Sequence, residues 1–192
     1  MDLILRTCAL LLFPMLTLTA QDSMHTKSVF DFSRPESTEQ WRSVNDVVMG
    51  GVSTSRIVHV PDGHAVFSGT LSLENNGGFA SVRCLPQEFD LAEYDGIRLR
   101  VRGDGRTYRL RLRMDSGFDG VAYQASFPTE EDTWTTVELP FTSFRPSFRG
   151  RAVPNAPALD PGAIRQVGLM IADGEEGPFR LDISAITAVR QY

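Results

Sequence analysis

Short runs of alternating apolar and polar residues recur from one end of this sequence to the other. Alternation with a period of two places every second side chain on one face of a strand, so each run predicts a half-buried strand. No segment keeps a helical period, although residues 38–44 and 160–165 could each form one or two helical turns. Many short strands with turn residues between them predict an all-β fold, a β-sandwich or jelly roll. The predicted strands are 29–32, 56–60, 64–73, 79–84, 97–102, 107–114, 121–127, 134–139, 167–172 and 179–186.

The first twenty residues have the pattern of a secretory signal peptide. An apolar run from Cys8 to Leu18 is followed by small residues, with a cleavage site expected near Ala20. A helix that spans a bilayer needs about 20 apolar residues, and this run is shorter. We therefore expect no transmembrane segment in the mature chain. An exported protein, periplasmic or extracellular, is therefore expected. The expected layout is a signal peptide (1–20), a flexible N-terminus (21–28) and a single β-sandwich domain (29–190).

The net charge and the cysteine content argue against a nucleic-acid-binding protein and against a fold held by disulfides. With 24 acidic and 19 basic residues the net charge is −5, whereas nucleic-acid-binding domains are usually basic, so we expect no nucleic-acid partner. Cleavage near Ala20 leaves Cys84 without a second cysteine, which excludes a disulfide within the mature chain. Cys84 alternates with Val82 and Ala80, and this spacing predicts a buried, inert thiol.

The segment WRSVNDVVMGGVS (41–53) departs from simple alternation. Asn45 and Asp46 are residues that bond their own backbone in turns, and Gly50 and Gly51 permit positive φ or the close approach of another group. On these grounds we favour a tight bend that begins a sheet, with Trp41 as a core anchor. The alternative is a shaped loop that binds a ligand or a partner, with Ser53 at its end.

Two arginine-rich runs flank Asp104-Gly105, a candidate two-residue hairpin turn. The hairpin register would place Val101 opposite Tyr108, with the other apolar residues of both runs on the same buried face. The polar face would then carry six arginines: Arg98, Arg100, Arg102, Arg109, Arg111 and Arg113.

Directly opposed like charges destabilise a strand pair, so acids should lie near these arginines. Glu138 and Asp182 fall on the polar faces of their strands and are the expected partners in a solvated, partly paired surface. The alternative is a binding face for an anionic partner, such as an acidic protein patch or a carboxylate-bearing polymer.

Motifs of the common catalytic and cofactor sites are missing from the sequence. It has no Gly-x-Ser-x-Gly elbow, no zinc spacing and no phosphate-binding Gly-Lys-Ser/Thr, so we expect neither an enzyme nor a cofactor or metal. The loops DSGFDG (115–120) and ADGEEG (172–177) could hold Ca²⁺, but solvated turns are the favoured interpretation. An exposed Trp134 could stack on a sugar ring; the alternative is that it packs at the edge of the core.

Several segments together resemble one protein family, that of NADH:ubiquinone oxidoreductase complex I intermediate-associated protein 30. The resemblance runs from about Phe30 to Ile186. The matching segments are WRSVNDVVMGGVS (41–53), GTLSLENNGGFASVR (69–83), YDGIRLRVRGDGRTYRLRLR (94–113), YQASFPT (123–129), LPFTSFRPSFRGR (139–151) and GPFRLDISAI (177–186).

The resemblance implies a galactose-binding-like jelly roll that acts as a non-enzymatic assembly factor and binds a protein complex or an assembly intermediate. An export signal would place the chain on the opposite side of the membrane from the peripheral arm of complex I. A carbohydrate-binding module of the cell envelope, with a glycan as partner, is therefore the alternative. The candidate binding surface carried over from the family motifs is Asn45, Asp46, Gly50, Gly51 and Ser53, with Arg100, Asp104 and Arg111; Trp134 is added for the glycan.

Overall fold

A computed structural model describes residues 25–190, which form thirteen strands and five short 3-10 helices. The strands are β1 (His25–Asp31), β2 (Trp41–Ser43), β3 (Thr54–Val60), β4 (His64–Leu71), β5 (Ala80–Cys84), β6 (Gly96–Arg102), β7 (Thr107–Arg113), β8 (Ala122–Pro128), β9 (Trp134–Pro140), β10 (Arg145–Phe148), β11 (Arg151–Ala152), β12 (Gln166–Ile171) and β13 (Gly177–Arg190). The 3-10 helices are Pro35–Thr38, Asp46–Met49, Glu74–Asn76, Phe141–Ser143 and Pro161–Ala163.

The strands form two antiparallel sheets that pack face to face, which confirms the predicted all-β sandwich. The six-stranded sheet has the order β3-β4-β13-β6-β9, and β1 also pairs with β13. The seven-stranded sheet has the order β11-β10-β8-β7-β12-β5-β2. Within the described residues, no helix is long and apolar enough to cross a membrane.

The core lies between the two sheets and follows the predicted alternation. Leu99 of β6 and Leu110 of β7 are both fully buried, as are their apolar neighbours two residues away in each strand. Trp41 is buried against Phe30 and Phe32, with its ring centroid 5.0 Å from that of Phe30, and therefore anchors the start of the 41–53 segment as expected. Cys84 is also buried, and burial raises the pKa of its thiol.

The predicted hairpin between β6 and β7 is wrong. β6 pairs with β13 and β9, whereas β7 pairs with β8 and β12, so the turn at Asp104-Gly105 carries the chain from one sheet to the other. The apolar faces of both strands still point into the core, because alternation fixes which residues face inward but not which strands pair. The two arginine rows consequently lie on opposite outer faces of the sandwich, and Arg100 does not oppose Arg109.

Other boundaries also differ from the sequence prediction. The turn at 75–78 joins β4 of the six-stranded sheet to β5 of the seven-stranded sheet. Of the two segments that could form helical turns, residues 38–44 contain β2, whereas 160–165 contains the 3-10 helix Pro161–Ala163. The proline-rich stretch 140–162 adds β10 and β11 to the seven-stranded sheet.

The predicted N-terminal segments lie mostly outside the described residues. The expected signal peptide (1–20) falls entirely outside them. Residues 25–28 of the expected flexible N-terminus are described, and they belong to β1, which pairs with the last strand.

Candidate functional site

Asp46 occupies the centre of the loop that precedes β3. Its side chain is completely buried, and it accepts hydrogen bonds from four donors in two separate segments of the chain. The Oδ1 atom accepts from Ser53 N at 2.9 Å, and Oδ2 accepts from Ser53 Oγ at 2.6 Å, Gly78 N at 2.8 Å and Phe79 N at 3.4 Å. Burial alone would raise the pKa of this carboxyl, but these hydrogen bonds outweigh it and lower the pKa.

Asn45 ties the two sheets together beside Asp46. Its Oδ1 accepts hydrogen bonds from Ser55 Oγ at 2.6 Å and from Ser81 N at 3.0 Å. Ser55 lies in β3 of one sheet and Ser81 in β5 of the other. Asn45, Asp46 and Ser53 therefore hold the sandwich closed at this end, in agreement with the favoured structural interpretation.

Gly50 and Gly51 are required for different reasons, one for backbone conformation and the other for space. Gly50 ends the 3-10 helix with φ +95° and faces open space. A Cβ on Gly51 would lie 2.5 Å from Oδ1 of Asp46, so only glycine allows the carboxylate to reach this position.

The same loop exposes three consecutive apolar side chains, which we call the apolar ridge: Val47, Val48 and Met49. Their exposed fractions are 61%, 61% and 53%, and Val52 follows at 47%. The backbone beneath them is fixed by Asp46 and Asn45, so the apolar ridge is presented on a rigid base. Contiguous exposed apolar residues of this kind are typical of protein-interaction surfaces or ligand grooves.

A pocket of about 460 Å³ lies beside the apolar ridge, on the outer face of the seven-stranded sheet. Four arginines of β5 and β7 line it, and we call this site the arginine pocket: Arg83, Arg109, Arg111 and Arg113. Gly168 of β12 pairs with Arg83 on one side and with Arg111 on the other, so its missing side chain leaves space between the two guanidinium groups. Val48, Met49 and Phe118 contribute apolar walls.

The arginines of this pocket differ in how they are neutralised. Arg113 forms an ion pair with Asp115 at 2.8 Å. Arg83 donates to the main-chain oxygen of Phe118 at 3.0 Å, and Arg109 donates to that of Ala172 at 3.0 Å. Arg111 forms no ion pair or hydrogen bond with any described side chain or carbonyl, and its buried Nε lacks a partner. Burial, together with the neighbouring guanidinium groups, lowers the pKa of Arg111 to about 10.

The structure separates the remaining candidate residues from this pocket. Arg100 and Trp134 lie on the outer face of the six-stranded sheet, where the guanidinium carbon of Arg100 is 5.8 Å from the Trp134 ring centroid. Arg102 lies 5.3 Å from the same ring, and His64 meets it edge-on at 5.4 Å, so Trp134 packs within a polar cluster. Glu138 pairs with Arg98 at 2.7 Å, which confirms it as a partner of this arginine row.

Asp182 and Asp104 also have structural partners. Asp182 is buried and forms an ion pair with Arg102, as expected. Asp104 accepts hydrogen bonds from Tyr108 Oη at 3.0 Å and from Arg180 N at 2.7 Å. It therefore joins the two sheets where the chain crosses between them and lies outside the arginine pocket.

The aspartates of the two candidate calcium loops form ion pairs with arginines. Asp119 pairs with Arg149, and Asp173 pairs with Arg106 at 2.7 Å. Across residues 25–190, no group of three or more His, Cys, Asp or Glu side chains is placed to hold a metal ion. These contacts support the favoured interpretation of both loops as turns.

Sequence reasoning identified the signature loop and the outward row of β7 but missed part of the pocket. Arg83 was overlooked, although its alternation with buried Val82 and Cys84 already placed it on an outer face. Arg83 lies near Arg111 only because β12 pairs with both β5 and β7, and the local sequence does not specify this strand order. Phe118 was overlooked because a single aromatic residue in a Gly-containing loop carries no pattern.

Comparison with solved structures places the sandwich in a known architecture. It resembles the family 11 carbohydrate-binding module of a cellulosomal cellulase from Clostridium thermocellum, with a TM-score of 0.66 and 19% identity. The match covers 88% of this chain and 95% of the module. The galactose-binding-like jelly roll expected from the sequence is thereby confirmed, as a similarity of fold.

Curated relatives give a consistent picture. The chain is 25% identical over 183 residues to complex I intermediate-associated protein 30, mitochondrial, of Drosophila melanogaster, and 28% identical over 178 residues to the Mus musculus protein of that name. These alignments cover 84% and 82% of this chain, but the chain spans only 62% and 54% of the relatives' lengths. Because the named relatives are mitochondrial, the expected periplasmic or extracellular localisation is wrong. A short apolar run near an N-terminus does not by itself fix a destination.

A family model extends the match over most of the described sandwich. The model for complex I intermediate-associated protein 30 matches residues 30–183, which include β2 to β12, the end of β1 and the first half of β13. The chain belongs to the complex I intermediate-associated protein 30 family.

Proposed function

We propose that this protein is a non-enzymatic binding module that assists the assembly of a larger protein complex, with an intermediate of respiratory complex I as its partner. Membership of the complex I intermediate-associated protein 30 family supports this role. The loop residues that match the family motif support it indirectly. Asn45, Asp46, Gly51 and Ser53 hold the loop in shape, and the side chains that the loop exposes are available to a partner.

The observation that carries the proposal is the apolar ridge on its rigid base. Val47, Val48 and Met49 are more than half exposed, while Asp46 beneath them is completely buried. Removing exposed apolar surface from water on association is favourable by about 25 cal/mol per Å². A surface held in one conformation before binding also avoids the entropy cost of ordering a loop. The apolar ridge is therefore suited to be the centre of a protein interface.

Replacing all three ridge residues by serine should weaken partner binding without unfolding the protein. The experiment purifies a tagged protein from cells that also make respiratory complex I and quantifies complex I subunits in the eluate. We expect the triple variant Val47→Ser, Val48→Ser, Met49→Ser to retain less than about one tenth of them, since central apolar contacts dominate interface energy.

Val58→Ser is the matched control, because Val58 is 40% exposed on β3 of the other sheet. It should recover complex I subunits as the unchanged protein does. Equal recovery with the triple variant would exclude the apolar ridge as the interface, and absence of complex I subunits from every eluate would contradict the assembly role itself.

A further inference from the structure

The arginine pocket concentrates positive charge that the described residues neutralise only in part. Arg149 and Asp119 also line it and form an ion pair with each other. Of the four arginines on β5 and β7, Arg113 alone forms an ion pair, with Asp115. Arg83 and Arg109 each reach one main-chain carbonyl oxygen, and Arg111 reaches no partner. Three guanidinium groups of one pocket thus lack a carboxylate within ion-pair distance among residues 25–190.

Such an arrangement is unfavourable in the empty protein. Taking a guanidinium group out of water costs free energy unless it is paired, and like charges nearby add to that cost. Arg111 meets both conditions, since its Nε is buried and its neighbours are cationic. Sites that keep unpaired, partly buried arginines are commonly those in which a ligand supplies the missing negative charge.

The other lining residues of the arginine pocket indicate what uncharged group a ligand would carry. Val48, Met49 and Phe118 supply its apolar lining, and the Phe118 ring centroid lies 5.3 Å from the guanidinium carbon of Arg83. A volume of about 460 Å³ lies within the range of small-molecule sites. The pocket therefore offers an apolar cleft above a cationic floor.

We propose that the arginine pocket binds a small organic phosphate monoester, with the phosphate group on Arg83, Arg109 and Arg111 and an apolar or aromatic group against the apolar lining, Phe118 and Met49. This inference goes beyond the assembly role, because it concerns a small ligand and can be tested on the purified protein alone.

The number of unpaired arginines favours phosphate over carboxylate. A phosphate monoester carries about −1.5 to −2 charges at pH 7 and three acceptor oxygens, whereas a carboxylate carries one charge and two oxygens. Three guanidinium groups around one site match the charge and the acceptors of the phosphate, and each fork can donate two parallel hydrogen bonds to it.

Calorimetric titration of the purified protein at low ionic strength tests the proposal with three probes: phenyl phosphate, inorganic phosphate and benzoate. We expect phenyl phosphate to bind at least about tenfold more tightly than benzoate, which has the same ring but one charge. It should also bind at least about fivefold more tightly than inorganic phosphate, which has no apolar group to contact Val48, Met49 and Phe118. Equal affinities for phenyl phosphate and benzoate, or no heat from phenyl phosphate at about 10 mM, would overturn the proposal.

Arg111→Met removes the charge and keeps much of the side-chain volume. We expect it to weaken phenyl phosphate binding by about tenfold or more, because a buried charge-assisted contact is lost. The matched control Arg56→Met, at an exposed position of β3 on the other sheet, should bind as the unchanged protein does. Unaltered binding by Arg111→Met would remove Arg111 from the site and contradict the proposal.

Thermal unfolding separates a binding role of Arg111 from a structural one. Without ligand, Arg111→Met should melt at the same temperature as the unchanged protein or higher, because it removes a buried like charge beside Arg83 and Arg113. At a hundredfold excess of phenyl phosphate over Kd, the unchanged protein should gain about 5–10 °C and the variant almost nothing. A ligand-free variant that melts several degrees lower would show that Arg111 holds the fold rather than a ligand.

Discussion

Asp46 is a buried carboxylate whose charge is balanced by hydrogen bonds rather than by a cation. Four donors from Ser53, Gly78 and Phe79 converge on its two oxygens. Ser53 Oγ in turn accepts from Ser72 N at 3.0 Å, which extends the network to the end of β4. One side chain thus joins the start of β3, the end of β4 and the start of β5.

Asp46→Asn should destabilise the protein by about 2–4 kcal/mol at pH 7, because an amide presents one acceptor and two donors to a site lined by donors. Urea unfolding of both proteins measures the difference. Asp62→Asn, in the exposed turn between β3 and β4, is the control and should change stability by less than about 0.5 kcal/mol.

The effect of Asp46 should also depend on pH with a definite sign. Its pKa is lowered in the folded state from an unfolded value of about 3.9, so its contribution is fully present above that value. That contribution is lost as the pH falls through the lower, folded-state pKa. The difference between the unchanged protein and Asp46→Asn should therefore shrink below about pH 4; a difference that stays constant down to about pH 2 would contradict the lowered pKa.

At the scale of the element, the loop 45–53 combines a buried base with an exposed apolar top. Its sequence predicted a bend correctly, because Asn, Asp and Gly have strong turn chemistry. It did not predict the apolar ridge, since three consecutive apolar residues usually continue a buried strand. Nor could it predict that Gly78 and Phe79 donate to Asp46, because these residues are brought to the loop by tertiary contacts.

Gly51→Ala and Gly50→Ala should differ although the residues are adjacent. At Gly51 the added methyl group would overlap the Asp46 carboxylate, at a cost of about 3 kcal/mol or more from lost hydrogen bonds and overpacking. At Gly50 it meets open space, and the positive φ costs about 1 kcal/mol. Denaturant unfolding measures both.

The clash at Gly51 can be isolated by a second substitution. In a protein that already carries Asp46→Ala, Gly51→Ala should cost less than about 1 kcal/mol, because the side chain that it would overlap is gone. Equal costs in both backgrounds would show that the backbone, and not Asp46, requires glycine here.

Across the whole molecule, alternation predicted the inward residues of most strands but not the order of the strands. Inward-facing Leu99 and Leu110 belong to opposite sheets, and nothing in the local pattern of β6 or β7 distinguishes this from a hairpin. Turn chemistry at Asp104-Gly105 suits both connections. The arginine pocket could not be predicted for the same reason, because its arginines are brought together by the strand order β7-β12-β5.

A double-mutant cycle tests this topology. Arg100→Met and Arg111→Met should act additively on stability, within about 0.5 kcal/mol, because they lie on opposite outer faces of the sandwich. Arg83→Met and Arg111→Met should couple by more than about 0.5 kcal/mol, since their side chains share the arginine pocket. Coupling in the first pair and additivity in the second would contradict the strand order.

The position of β13 has a consequence for how the chain is made. This strand comes last in the described sequence, yet it lies in the middle of the six-stranded sheet, between β4 and β6, and also pairs with β1. During synthesis from the N-terminus, the edges of β4 and β6 stay unpaired until residues 177–190 have left the ribosome. The nascent chain therefore passes through a stage in which the edges of β4 and β6 are open to pairing with other chains.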